Sequence, residues 1–186
     1  MGARRSWSTV ATILALGLLA VAGWPGSART QTASIEGFEG AWRYVGGARD
    51  QRQRDAAIDQ VVDQLDLFTR EIARVAIRRS LAPEPELHVR LRGPRRLSLQ
   101  LGDWVSREVE LDAPPLTMPG PDGSATRFSA RFASGRLTTR EESARGSRIN
   151  QLGLSPDGAH LFMHVRVRAP QLPSDIRYAL TYRRAR

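Results

Sequence analysis

Three histidines, a scatter of carboxylates and a surplus of arginine are the groups in this chain that could do chemistry. His160 and His164 stand four apart, a spacing that brings two metal ligands together on a helix. They fall instead in a run that alternates apolar and polar, and four residues of a strand span ~13 Å at ~3.3 Å each. One metal ion cannot bridge them, and His88 approaches either only if a sheet register places it there. Glu141 and Glu142, with Asp103, Glu108 or Glu110, could supply paired carboxylates for hydrolysis. Adjacent strand residues point to opposite faces, so Glu141 and Glu142 are not themselves a pair. Glu141 shares the face of Leu137. If that face is interior, its carboxylate needs a partner such as Arg107; otherwise it sits at a rim open to water. The sequence holds no Ser-His-Asp order, no glycine-rich phosphate loop and no HExxH. It has no cysteine, which excludes thiol catalysis, cysteine zinc sites and iron–sulfur clusters. The expectation is a protein that is not an enzyme and uses neither metal nor cofactor.

The elements that position these groups are legible from periodicity. From about Ala48 to Leu81 there is neither Gly nor Pro, and Ile58, Val61, Val62, Leu65, Phe68, Ile72 and Val75 recur at the spacing of an amphipathic helix. Asp55, Asp59, Asp63 and Asp66 crowd its front half and Arg70, Arg74, Arg78 and Arg79 its back, as the helix dipole favours. One long helix over 48–81, lying with its apolar side against the rest, is predicted. Beyond Pro85 the period becomes two. Leu87, Val89 and Leu91 form one strand face; Leu97, Leu99 and Leu101 the next; Val105, Val109 and Leu111 a weaker one interrupted by Arg107. Residues 112–124, rich in Pro and Gly, read as loop. Alternation resumes at Phe128, Ala130 and Phe132, then Leu137 and Thr139, a polar strand over Ser147–Leu152, Leu161 to Val167, and Ile176 to Tyr182. Half-apolar strands joined by short turns make an antiparallel sheet with one buried face. The fold class expected is therefore mainly β with one long helix (α+β): an eight- to nine-stranded up-and-down meander, closed into a barrel or strongly curled, packed against the helix.

Composition and the N-terminus frame the setting. Arg4 and Arg5 precede the uncharged run Val10–Ala22, then Pro25, Gly26 and Ala28, which is the order of a signal peptide. The run is shorter than the ~20 residues a membrane-spanning helix needs. Residues 1–28 read as the signal (by the general or the twin-arginine route), 29–37 as a flexible arm, and 38–186 as a single domain with strands from 86 to 184. All 28 basic residues are arginine, against 19 acids, for a formal charge of +9. Losing residues 1–28, which carry two arginines and no acid, would leave +7. Periplasm or secretion is the expected location. Export argues against nucleic acid as partner for the basic face, and leaves an anionic envelope component, with membrane association possible but no spanning segment after cleavage.

Phe38-x-Gly-x-Trp42, the late Leu154-Ser-Pro-Asp-Gly-x-x-Leu161 hairpin and the final Tyr178-x-Leu-x-Tyr182-Arg183 strand resemble the lipocalin family and its smaller lipocalin-like (calycin-type) relatives. That resemblance implies an up-and-down barrel with Gly40 and Trp42 as the pair at its base and Arg183 stacked over Trp42. The long helix directly after the first strand departs from the family, whose helix comes late. The implied function is non-enzymatic binding of a small hydrophobic or amphipathic ligand such as a lipid, lined by Leu97, Leu99, Phe128, Phe132, Leu161, Met163 and Tyr178. The alternative is a structural or protein-interaction domain of the cell envelope with a filled interior. An enclosed cavity above ~300 Å³ separates the two.

Overall fold

The computed structural model describes residues 33–102, 106–120 and 123–185. The segment read as a signal, Asp103 and Val105 lie outside them. Ten strands form one antiparallel sheet: β1 Gly40–Tyr44, β2 Glu86–Leu91, β3 Arg96–Leu101, β4 Arg107–Glu110, β5 Leu116–Pro119, β6 Ala125–Ala133, β7 Arg136–Ser143, β8 Gly146–Leu154, β9 His160–Arg168 and β10 Ile176–Arg184. Their order is β4-β3-β2-β1-β10-β9-β8-β7-β6-β5, so first and last strands pair and the sheet curls into a nearly closed barrel. The predicted curled meander is what forms. The tenth strand comes from β5, inside the stretch read as loop. It pairs only with β6, and an edge strand tolerates Pro119 at its end because no partner needs that missing N–H.

Strand parity fills the barrel as expected. Leu137, Leu152, Met163 and Leu180 are register partners across four strands, all almost wholly buried. The base is closed by a 3-10 turn, Ile35–Phe38, so ordered structure begins inside the stretch read as an arm. Phe38 is fully buried there, edge-on to Phe132, and its carbonyl accepts from the Trp42 indole N–H at 2.9 Å. The cation stacked over Trp42 is Arg184, 4.3 Å from the ring, not Arg183. Trp42 and Arg184 are register partners, and one step of strand turns Arg183 to the outer face. Arg184 also donates to the Gly37 and Glu39 carbonyls at 2.6 Å each. Gly40 has φ +132°, and a Cβ there would stand 2.9 Å from the Arg184 guanidinium, so the base needs glycine twice over.

The predicted single helix is two: α1 Gly47–Val62 and α2 Leu67–Ser80. The break has a local cause. The Asp66 carboxylate accepts from the backbone N–H groups of Phe68 and Thr69, an N-cap that starts a new helix rather than continuing the old one. Both helices lie between the end of β1 and the start of β2, positions tied by Tyr44 N–H to the Pro85 carbonyl, and so they cap the barrel end opposite the 3-10 turn. α1 packs against β10 with Ile58, Val61 and Val62 buried. Where β1 leaves β10, the buried Asp50 carboxylate takes over the ladder by accepting from Thr181 N–H at 2.6 Å. α2 behaves otherwise than expected. It buries no residue, and Leu67, Phe68, Ile72 and Val75 face outward, Phe68 at 92% exposure. Only Ala73 and Ile77, both partly buried, pack against the core, and ion pairs tie it to α1: Arg74 to Asp59 and Asp63, and Arg78 to Asp59.

The barrel does not close its hydrogen-bond ladder everywhere. β4 and β5, the two ends of the strand order, do not pair with each other. Leu111 bridges to Ala130 on β6, and Asp112 N–H donates to the Ala130 carbonyl at 2.9 Å, which seals the seam toward the base. Toward the helical cap no such ladder joins the described residues of the seam.

Candidate functional site

An apolar barrel interior makes its few polar groups conspicuous, because each needs a partner when removed from water. They gather in one layer below the helical cap. Counting by two from Leu152 places Asn150 and Arg148 on the inner face, and counting from Leu137 places Thr139 and Glu141 there. Register completes the set: Thr139, Asn150, Val165 and Tyr178 form one row, and Phe128, Glu141, Arg148, Val167 and Ile176 the next. Arg148 Nε donates to Asn150 Oδ1 at 3.0 Å, and Asn150 Nδ2 donates to Thr139 Oγ1 at 3.2 Å. Glu141 is interior and does find Arg107: the guanidinium lies 2.9 Å from its carboxylate and 5.2 Å from the centre of the Phe128 ring. The Tyr178 hydroxyl is buried and has no hydrogen-bond partner among the described residues. Burial pushes its pKa up, and the nearby Arg148 and Arg54 charges only partly oppose this.

Four of these polar groups border a cavity of about 50 Å³, lined by Glu84, Leu99, Leu101, Arg107, Phe128, Glu141, Arg148 and Asn150, while Tyr178 borders the outer groove on β8–β10. Of the residues expected to line a ligand site, Leu99 and Phe128 border it. Leu97, Leu161 and Met163 are packed solid with at most 1% exposure. Phe132 lies partly buried at the base against Phe38, and Tyr178 stands in the polar layer. The large apolar cavity is therefore not preformed, since well-packed leucines fill the lower barrel. Sequence reasoning missed Arg148, Asn150 and Glu84. The first two were recoverable by parity from Leu152, whereas Glu84 enters through a connection that carries no periodicity.

The other candidates disperse. His160 and His164 pair in register with Arg183 and Ala179 on the outer face, and His88 makes its ionic contact with Glu86 at 3.3 Å. Among the described residues no group of three His, Cys, Asp or Glu is placed to hold a metal ion. Glu108 and Glu110 are exposed on the outer side of β4. The basic face does form an outer groove of about 480 Å³ bordered by His164, Arg166 and Arg177, but Asp175 pairs with both arginines. No helix of the described residues is long and apolar enough to cross a membrane.

No family model and no curated protein matches the sequence. Solved structures do match in shape. Fatty-acid-binding protein 1 of Echinococcus granulosus superposes with a TM-score of 0.52 at 14% identity, over 82% of this chain and all of that one. Apo lipid binding protein 8 of Caenorhabditis elegans gives the same score and identity over 82% and 99%. The N57A variant of the fluorescent protein UnaG gives 0.50 at 12% over 82% and 99%. The likeness fixes the fold: a calycin-type barrel of the fatty-acid-binding shape, not specifically a lipocalin. The fatty-acid-binding proteins and UnaG, which share this shape, do not support the expected periplasmic or secreted location.

Proposed function

We propose that this barrel is a non-enzymatic binding protein for a small amphipathic anion of the long-chain carboxylate type. The head would meet the layer of Arg107, Arg148, Asn150 and Tyr178, with Leu97, Leu99, Phe128, Phe132, Leu161 and Met163 as the apolar residues available to its chain. The observation that carries this is the Tyr178 hydroxyl. A buried donor with no partner near the Arg148 charge is costly, and a carboxylate oxygen would satisfy it. The names of the like-folded proteins, fatty-acid-binding protein and lipid binding protein, support the same ligand class. About 50 Å³ holds a head group or a water or two, so the chain must gain room by movement. α2 is the element suited to move, because it buries no residue fully and is held by charge pairs and two partly buried side chains.

Titration with oleate tests this. Saturable one-to-one binding is expected by calorimetry, together with protection of α2 amides. Tyr178→Phe should leave stability unchanged or slightly raised, since it deletes an unpartnered hydroxyl, while weakening oleate binding by about fivefold to tenfold. The filled lower barrel favours a second reading, a structural or protein-interaction domain. Absence of saturable binding to oleate would decide for it.

A further inference from the structure

The interior ion pair spans the seam between the two ends of the strand order, where β4 and β5 do not pair. Arg107 stands on β4, at one end of the strand order, and Glu141 on β7, the third strand from the other end. Between them the guanidinium crosses the ring of Phe128, the register partner of Glu141 on β6. Backbone bonds from the 111–112 corner to Ala130 seal the seam nearer the base; toward the helical cap this side-chain bridge takes their place. Its members differ in exposure, 12% for Arg107 and 29% for Glu141, so the carboxylate is the one with a path to water. On its other side Glu141 neighbours Arg148 across the β7–β8 ladder. Glu84, from the connection after α2, is the second carboxylate bordering the same cavity.

From this geometry we infer that Glu141 is a built-in counter-ion, a carboxylate of the protein holding the position that a ligand's carboxylate takes. The inference rests on the ligand class proposed above. Binding is then an exchange: Arg107 passes from Glu141 to the incoming anion, and Glu141 swings toward the water it already touches. Charge explains why such an occupant is present. Two arginines in an apolar barrel without a counter-ion would repel each other at low dielectric, and each would bear the full cost of leaving water. With Glu141 in place the empty barrel tolerates them, and anions bind less tightly than two unopposed arginines would allow. Because the same pair bridges the seam, the exchange also loosens the join between β4 and the β6–β7 side at the moment the ligand needs room.

Glu141→Gln separates this from a purely structural ion pair. Oleate should bind E141Q more tightly than wild type, by about tenfold, while oleyl alcohol, with the same chain and no charge, should bind both alike. The melting temperature of ligand-free E141Q should fall, and its rise on adding oleate should exceed that of wild type. The gain should vanish in an R107Q/E141Q double variant, since no cation is then released. If E141Q does not fold, Glu141→Asp keeps the charge, shortens its reach to Arg107, and should give a smaller gain in the same direction. Equal or weaker oleate binding by the variants would overturn the exchange and leave the proposed function standing. Absence of binding by wild type and variants alike would overturn both.

Discussion

Arg184 shows how much one side chain settles at the base of the barrel. Its guanidinium stacks on Trp42 and donates to two carbonyls of the 3-10 turn, so it joins the last strand to the first and to the plug beneath them. Arg184→Ala should cost about 2–3 kcal/mol in urea unfolding, from one cation–π contact and two charge-assisted hydrogen bonds. Arg183→Ala, one residue away on the outer face, should stay within about 0.5 kcal/mol. Equal costs for the two would contradict the stacking. The same parity governs the polar layer, where Glu141 is an inner residue and Glu142 an outer one paired with Arg140.

At the scale of elements, the two helices divide their labour. α1 is part of the core and even lends Asp50 to the β10 ladder. Gly46 is required for that contact, because a Cβ there would fall 1.7 Å from the Asp50 carboxylate. α2 is an add-on, started by a cap and held by ions. The Asp66 carboxyl is kept below its ordinary pKa by the Thr69 hydroxyl first, and then by backbone N–H groups of Thr69 and Phe68. A depressed carboxylate contributes above its unfolded pKa, and that contribution is lost as pH falls through the folded value. The Phe68 and Thr69 amide resonances should therefore shift, and α2 fray, as pH drops below about 4, with β-strand resonances unmoved. Asp66→Ala should fray the start of α2 at neutral pH and abolish the acid shifts of the Phe68 and Thr69 amides; unchanged shifts of those two amides would place their origin elsewhere.

For the whole molecule, all three tyrosines report on global integrity. Burial raises the pKa of Tyr178 and of Tyr182 above the ordinary 10.0, Tyr182 the more strongly, and Tyr44 is raised as well. A group whose folded pKa lies above its unfolded value supports the fold fully below the unfolded pKa, and loses that support as pH rises toward the folded one. Urea midpoints should hold steady to about pH 9 and then fall. Tyrosinate absorbance should grow together with loss of β-sheet circular dichroism rather than before it. Titration of tyrosine in a fully folded barrel near pH 10 would contradict the burial.

Much of this architecture is written in local periodicity. Alternation of Leu, Val and Phe with Arg from Leu87 to Tyr182 determined the strands, the buried face and the curled meander. The face shared by Leu137 and Glu141 raised an interior carboxylate with Arg107 as its partner, while Gly40 and Trp42 at the base came from the lipocalin resemblance. Such features depend on neighbours one to four residues apart, and the chain states them directly. What needed the tertiary structure were relations between distant positions. The one-residue choice of Arg184 over Arg183 follows from the pairing of β1 with β10. The inward turn of the charged side of α2 follows from Asp59 and Asp63 on α1, and the seam from strands that never meet. Above all, the polar layer is assembled from β4, β7, β8 and β10, whose register no local pattern carries. The filling of the lower barrel is likewise a sum over all its strands, so cavity size could not be read from any one of them.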